Sequence, residues 1–192
     1  MKLLHLDSSA LGANSATREL SAAIVARWQA DIADLSVEYR DLDSNPVPHL
    51  TGASLAATDP EAATESGQVL QQFLDADIVV VGAPMYNFSI PSTLKAWIDR
   101  IAVAGKTFRY TAKGPEGLAT GKRVIVASAR GGLHSGAPSD FQEPYLRFLF
   151  GFMGITDVEF IRAEGLGLSP QHRSEALAAA HAAIGAPLAK AA

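Results

Sequence analysis

The stretch "DADIVVVGAPMYNFSIPSTLKAWIDRIA", residues 75–102, joins three patterns in one run. Its "DIVVVGA" (77–83) is a β-branched apolar run without polar alternation, as expected of a parallel strand covered by helices on both faces. Leu94, Trp97, Ile98 and Ile101 then recur at the spacing of one helix face. Between the two, Pro84, Met85, Tyr86, Asn87 and Phe88 stand where the strand runs out. Pro84 and Pro91 restrict the backbone on either side, which predicts a rigid loop that exposes main-chain amides and on which a flat ring can lie.

Outward from this unit, the same alternation repeats. Strand-like runs fall at "KLLHLD" (2–7), "SVEYRDL" (36–42), "RVIVASA" (123–129) and "DVEFIRA" (157–163). Helix-length segments separate them: one with Leu20, Ala23, Ile24 and Trp28 on a single face, then 61–74, 141–153 and an alanine-rich 174–189. Strict β–α alternation predicts a doubly wound α/β sheet with right-handed crossovers. Two stretches, 42–59 and 105–121, carry no helical period and are expected to be long loops of the kind that often serve function.

At 192 residues and 48% hydrophobic content, the chain is expected to be one domain spanning 1–192. A formal charge of -4 and no basic run argue against nucleic acid. Without cysteine there is no disulfide, thiolate metal site or cysteine nucleophile. No apolar stretch approaches the ~18 residues of a membrane span, and the chain reads as a soluble cytoplasmic protein. The five histidines show no metal-like spacing, so no metal is expected.

In open α/β sheets ligands bind at the carboxyl ends of the strands. After the first strand comes "DSSALGANSATREL", where Ser9, Ser15 and Thr17 offer hydroxyls, Asn14 or Ser15 can cap the helix, and free N–H groups of its first turn make an anion site. An ordinary capped helix fits the same residues. After the fourth strand comes "ASARGGLHSGAPS": Gly131 and Gly132 let backbone approach a ligand, Arg130 adds positive charge, and His134 lies beside the pair. No G-x-G-x-x-G follows a strand, "EGLATGKR" fails the P-loop pattern, and there is no G-x-S-x-G elbow for a hydrolase.

The segments "HLDSSALGANSATREL", "PMYNFSIPSTLKAWIDRIAVAGKTFRYTAKGPEGL" and "ARGGLHSGAPSDFQEPYLRFLFGFMGITDVEFIRAEG" resemble the FMN-dependent NADH azoreductase family of flavodoxin-like proteins. The resemblance implies a five-stranded parallel sheet ordered 2-1-3-4-5 with helices on both faces, and a homodimer with FMN at the carboxyl edge. It also implies NADH or NADPH as donor and a quinone or azo compound as acceptor, with the chemistry on the flavin and no obligatory protein acid or base. By the same resemblance, Ser9, Ser15, Ala16 and Thr17 match the FMN phosphate loop. Pro84, Met85, Tyr86, Asn87 and Phe88 match the isoalloxazine loop, and Ala129, Arg130, Gly131 and Gly132 match the third contact segment. There the family usually has Ser where this chain has Ala129, with Ser128 one residue earlier. Tyr110 and Phe152 are implied at the acceptor pocket, although Phe152 equally fits plain core; His134, from its place beside the glycine pair, is read as a further substrate-binding residue, although a solvated loop histidine fits it equally. A flavodoxin-like carrier of single electrons is the alternative, against which stand the long 105–121 segment and the mild charge.

Overall fold

The computed structural model describes residues 1–56, 58 and 60–185. In chain order the elements are β1 (Lys2–Asp7), α1 (Ala16–Asp31), β2 (Ser36–Asp41), α2 (Gly52–Leu55), α3 (Pro60–Asp75), β3 (Ile78–Pro84) and α4 (Ser92–Ile101). There follow β4 (Phe108–Thr111), β5 (Gly114–Gly117), β6 (Arg123–Ala129), α5 (Gln142–Phe152), β7 (Asp157–Ala163) and α6 (Pro170–Ala182). The five parallel strands are ordered β2-β1-β3-β6-β7, which is 2-1-3-4-5 when the sheet strands alone are counted. This is the expected flavodoxin-like sheet.

Period-two side-chain alternation divides the core between the two faces of the sheet. Val79, Val81, Val124 and Val126 pack with Phe73, Trp97 and Phe150 from α3, α4 and α5. Ile78, Val80, Ile125 and Ala127 pack with Leu20, Ile24, Trp28 and Ala180 from α1 and α6. All seven residues of β3 are buried, which is why its sequence shows no polar alternation. The register aligns the carboxyl ends: Asp7 lies beside both Asp41 and Gly82, and Ala129 beside both Pro84 and Ala163. Chain order reverses between β1 and β3, so a crevice opens at that edge.

Three segments differ from the sequence expectation. Residues 105–121 hold an antiparallel hairpin, β4 with β5, whose "FRYT" and "GPEG" lack the apolar alternation that marks a strand. Within 42–59 the short α2 is closed by a reciprocal capping box between Thr51 and Ser54, and the Arg100 guanidinium donates to the carbonyls of Pro48 and His49; positions 57 and 59 lie outside the described residues. The last helix begins four residues earlier than read, because Ser169 caps it and Pro170 occupies its first position; positions 186–189 lie outside the described residues. No helix among the described residues is long and apolar enough to cross a membrane.

Candidate functional site

Three loops meet at the carboxyl edge. The first follows β1. A 3-10 turn at Gly12–Asn14 leads into α1, and Ser15, not Asn14, is the cap, its Oγ accepting from the Arg18 N–H at 3.3 Å. Helix geometry leaves the N–H groups of Ala16 and Thr17 without an intrahelical acceptor. The Ser15 and Thr17 hydroxyls lie 3.0 Å apart beside them, both side chains buried. Paired hydroxyls in the same helix turn as free N–H groups suit a phosphate monoester. Ser9 is fully buried; its Oγ lies 3.2 Å from the Tyr86 hydroxyl, which also accepts from Ala10 N–H at 3.2 Å, tying the first loop to the loop after β3.

The loop after β3 is tighter than its prolines alone predict. Tyr86 N–H donates to Ser89 O at 2.9 Å and Ser89 N–H to Tyr86 O at 3.1 Å, with Asn87 (φ 49°) and Phe88 (φ 70°) both left-handed. This is the two-residue geometry in which both central residues need positive φ. Asparagine tolerates that region, but phenylalanine is strained there, and such strain persists only where the surroundings enforce it. Here the turn is pinned at its base by Met85 N–H to Ala129 O at 2.9 Å. The amides of Asn87 and Phe88 have no hydrogen-bond acceptor among the described residues. A cleft of ≈ 540 Å³ borders the turn, with Lys95 and Tyr145 on its far wall.

The third loop follows β6. Gly131 and Gly132 accept from Gly167 N–H and Gly165 N–H through their carbonyls, so the chain after β7 backs them and their own amides remain without an acceptor among the described residues. A Cβ at Gly132 would meet the His134 ring nitrogen Nε2 at 2.8 Å, so a side chain there would displace that ring. His134 is held by a 2.9 Å bond between Nδ1 and Ser139 Oγ, and its ring stands edge-on to Phe88 with centroids 5.8 Å apart.

Arg130 differs from the sequence expectation. The residue is 1% exposed and its guanidinium pairs with Asp140 at 2.8 Å and Glu164 at 3.2 Å, so its charge is neutralised internally instead of reaching the crevice. Burial alone would raise the Glu164 carboxyl, but the N–H groups of His134 and Ser135 and the Arg130 charge hold it below the ordinary range. Nor does Ser128 substitute for the hydroxyl missing at Ala129. It points inward, bonding Gln142 Oε1 at 2.9 Å and accepting from Arg130 Nε at 3.2 Å.

Tyr110 and Phe152 lie in one aromatic group with Phe108 and Phe148. Phe108 meets Phe152 at 4.6 Å and Tyr110 at 5.6 Å, and Phe148 stacks on Phe152 at 6.4 Å. Phe152 also packs against the core, whereas Tyr110 and Phe148 are 75% and 74% exposed. Among the described residues no ring contact joins this group to Phe88 or His134 within one chain.

Several supporting residues escape sequence reading. Gln142 donates to the carbonyls of Ala83 and Pro84 at 3.0 and 2.9 Å, bracing the base of the turn from α5. Arg18 bonds Asp41 at 2.7 and 2.9 Å, which lowers the Asp41 carboxyl below its ordinary range, and donates to Ser9 O at 2.9 Å. Only an arginine three residues past a cap, and an acid ending β2, hinted at that pair.

The chain matches a family model described as flavodoxin-like fold over residues 1–188. It is 68% identical to the FMN-dependent NADH:quinone oxidoreductase of Stenotrophomonas maltophilia over 184 residues, covering 96% of this chain and 94% of that protein. It is 66% identical over 185 residues to FMN-dependent NADH:quinone oxidoreductase 1 of Xanthomonas euvesicatoria, covering 96% of this chain and 95% of that one. A solved FMN-dependent NADH-azoreductase from Bacillus anthracis, in complex with FMN, superposes with a TM-score of 0.87 at 26% identity, covering 95% of each chain.

Proposed function

We infer the activity from the family: the chain belongs to the flavodoxin-like-fold family and, within it, to the FMN-dependent NADH:quinone oxidoreductases and azoreductases. It is an FMN-dependent enzyme that passes electrons from NADH to a quinone or azo compound. The observation that carries this reading is the convergence of three strand-end loops at the crevice between β1 and β3, each offering uncommitted amides or buried hydroxyls. When bound, FMN supplies the hydride chemistry. The protein binds, orients and excludes water.

In this reading Ser15 and Thr17 hydroxyls and the Ala16 and Thr17 amides hold the phosphate, with Ser9 closing the loop over it. The turn of Pro84, Met85, Tyr86, Asn87 and Phe88 presents its amides to the polar edge of the flavin ring, and its side chains keep water from one side. Ala129, Arg130, Gly131 and Gly132 contribute main chain. The Arg130 side chain serves only to hold Asp140 and Glu164 in place. A single domain over residues 1–192 carries all of this in the cytoplasm.

His134, Tyr110 and Phe152 line the acceptor pocket of a homodimer in this reading, which is supported by the exposure of Tyr110 and by the lack, among the described residues, of a ring contact between its aromatic group and the Phe88–His134 pair within one chain. A partner's aromatic group placed over the crevice supplies the missing wall. Aromatic stacking is worth ~0.5 to 1.5 kcal/mol per pair, and ~1.4 kcal/mol is tenfold in rate. Tyr110→Ala and Phe152→Ala are therefore expected to change kcat/KM for bulky quinones and azo dyes by a few-fold to about tenfold with FMN content unchanged. Variants that stay FMN-loaded and treat large and small acceptors as the parent does would remove these residues from the pocket.

Purified protein is expected to show two flavin absorption bands that NADH bleaches anaerobically and a quinone restores. Because donor and acceptor use one crevice in turn, initial-rate plots should give parallel double-reciprocal lines. Intersecting lines would show that both substrates bind at once.

A further inference from the structure

The cation nearest the first loop is committed to carboxylates of the protein and not to the donors at the start of α1. Arg18 donates to both carboxylate oxygens of Asp41 and at 3.2 Å to the Tyr39 hydroxyl, and it stands 3.8 Å from Asp7 Oδ2. Asp7 in turn is buried and accepts from Ser21 Oγ at 2.8 Å and Tyr39 OH at 3.1 Å. One guanidinium thus faces two carboxylates, and its charge is compensated inside the protein. Its remaining bond, at 2.9 Å to the Ser9 carbonyl, is the one that touches the loop. A carbonyl oxygen free to swing toward the first turn of α1 would compete for the amides of Ala16 and Thr17 and place negative charge beside a bound phosphate.

We propose that Arg18, anchored by Asp41, is a positioning residue for the phosphate monoester of the cofactor: it holds the Ser9 carbonyl away from the Ser15–Thr17 donors, so the dianion is bound by neutral groups alone. This rests on the reading of that loop as the phosphate site. The rival role for the same side chain is direct: Arg18 leaves Asp41 and pairs with the phosphate. The two roles give opposite signs for Asp41→Asn. Freeing Arg18 tightens FMN if the contact is direct, and weakens it if Asp41 is the anchor.

The test is equilibrium titration of the full chain, stripped of flavin, with FMN and with riboflavin, followed by flavin fluorescence at constant ionic strength. Arg18→Met and Asp41→Asn are each expected to weaken FMN about tenfold while changing riboflavin less than about threefold, since hydrogen bonds that order a charged site are the stronger kind. Arg18→Lys, which keeps the charge and one donor, should restore part of the loss. A riboflavin-to-FMN preference that does not move in either variant overturns the proposal, as does tighter FMN binding by Asp41→Asn. Should Arg18→Met fail to fold, the near-isosteric Asp41→Asn carries the same test. Ser15→Ala with Thr17→Ala separates this proposal from its premise. If that double variant loses the preference and the Arg18 and Asp41 variants keep it, only the positioning role falls; if the double variant keeps it, the phosphate-loop reading itself falls.

Discussion

Gly117→Ala is expected to unseat the β4–β5 hairpin from α5, lowering unfolding free energy by about 2–3 kcal/mol, as overpacking of a tight contact does. A Cβ at this position would meet the Gly154 nitrogen at 2.1 Å and the Met153 carbonyl carbon at 2.3 Å. Both are backbone atoms, so no side-chain rotation relieves the clash. They are also held in place: Ala119 N–H donates to Met153 O and Ile155 N–H to Phe150 O, each at 2.9 Å, and Gly154 itself has φ 95°. The hairpin must move instead, carrying Phe108 and Tyr110 away from Phe152. For a chain of this size the midpoint of thermal unfolding should fall by roughly 4–12 °C. Turnover of bulky quinones should fall more than that of small ones, with FMN retained, because among the described residues no backbone hydrogen bond joins the three strand-end loops to the hairpin. A variant with the parent's unfolding midpoint and the parent's acceptor preference would show that the hairpin absorbs the methyl group without consequence.

The second large effect is expected at the helix terminus. Hydrogen bonds to a charged group contribute about 1.5–3 kcal/mol each, so removing the Ser15 and Thr17 hydroxyls together should weaken FMN by about a hundredfold or more. Riboflavin, which lacks the phosphate, should lose less than about fivefold. Some of that smaller loss is structural, since Ser15 also caps α1 and replacing a cap by alanine costs about 1 kcal/mol. The comparison of the two ligands subtracts it. Double-variant protein should be isolated largely free of flavin, and equal losses for both ligands would place the phosphate elsewhere.

The strand-end loops stood out in the sequence because their composition is at odds with their neighbours: Ser and Asn after an apolar strand, an amide among aromatic rings, a glycine pair before a histidine. What surrounds them was harder to see. Arg130 read as a free positive charge because Asp140 and Glu164, its partners, lie 10 and 34 residues downstream. Gln142 looks like any polar residue opening a helix, yet it is fully buried and reaches the ends of β3. The positive φ of Phe88 has no sequence signal at all, since local preference opposes it.

The alternation of five core strands with helices, and the strand boundaries to within a residue or so, were determined by the sequence patterns alone, while the strand order that sets the crevice was implied by the family resemblance. The physical reason is that β-branched runs and helical periodicity are local, and with right-handed crossovers they leave few ways to pack. The β4–β5 hairpin, the ion pairs of Arg18 and Arg130, and the left-handed turn at Asn87 and Phe88 were decided only by tertiary structure. The ion pairs need partners ten or more residues along the chain, the hairpin pairs locally but is seated on Met153 and Gly154 after α5, and the turn needs surroundings that impose what its local backbone disfavours.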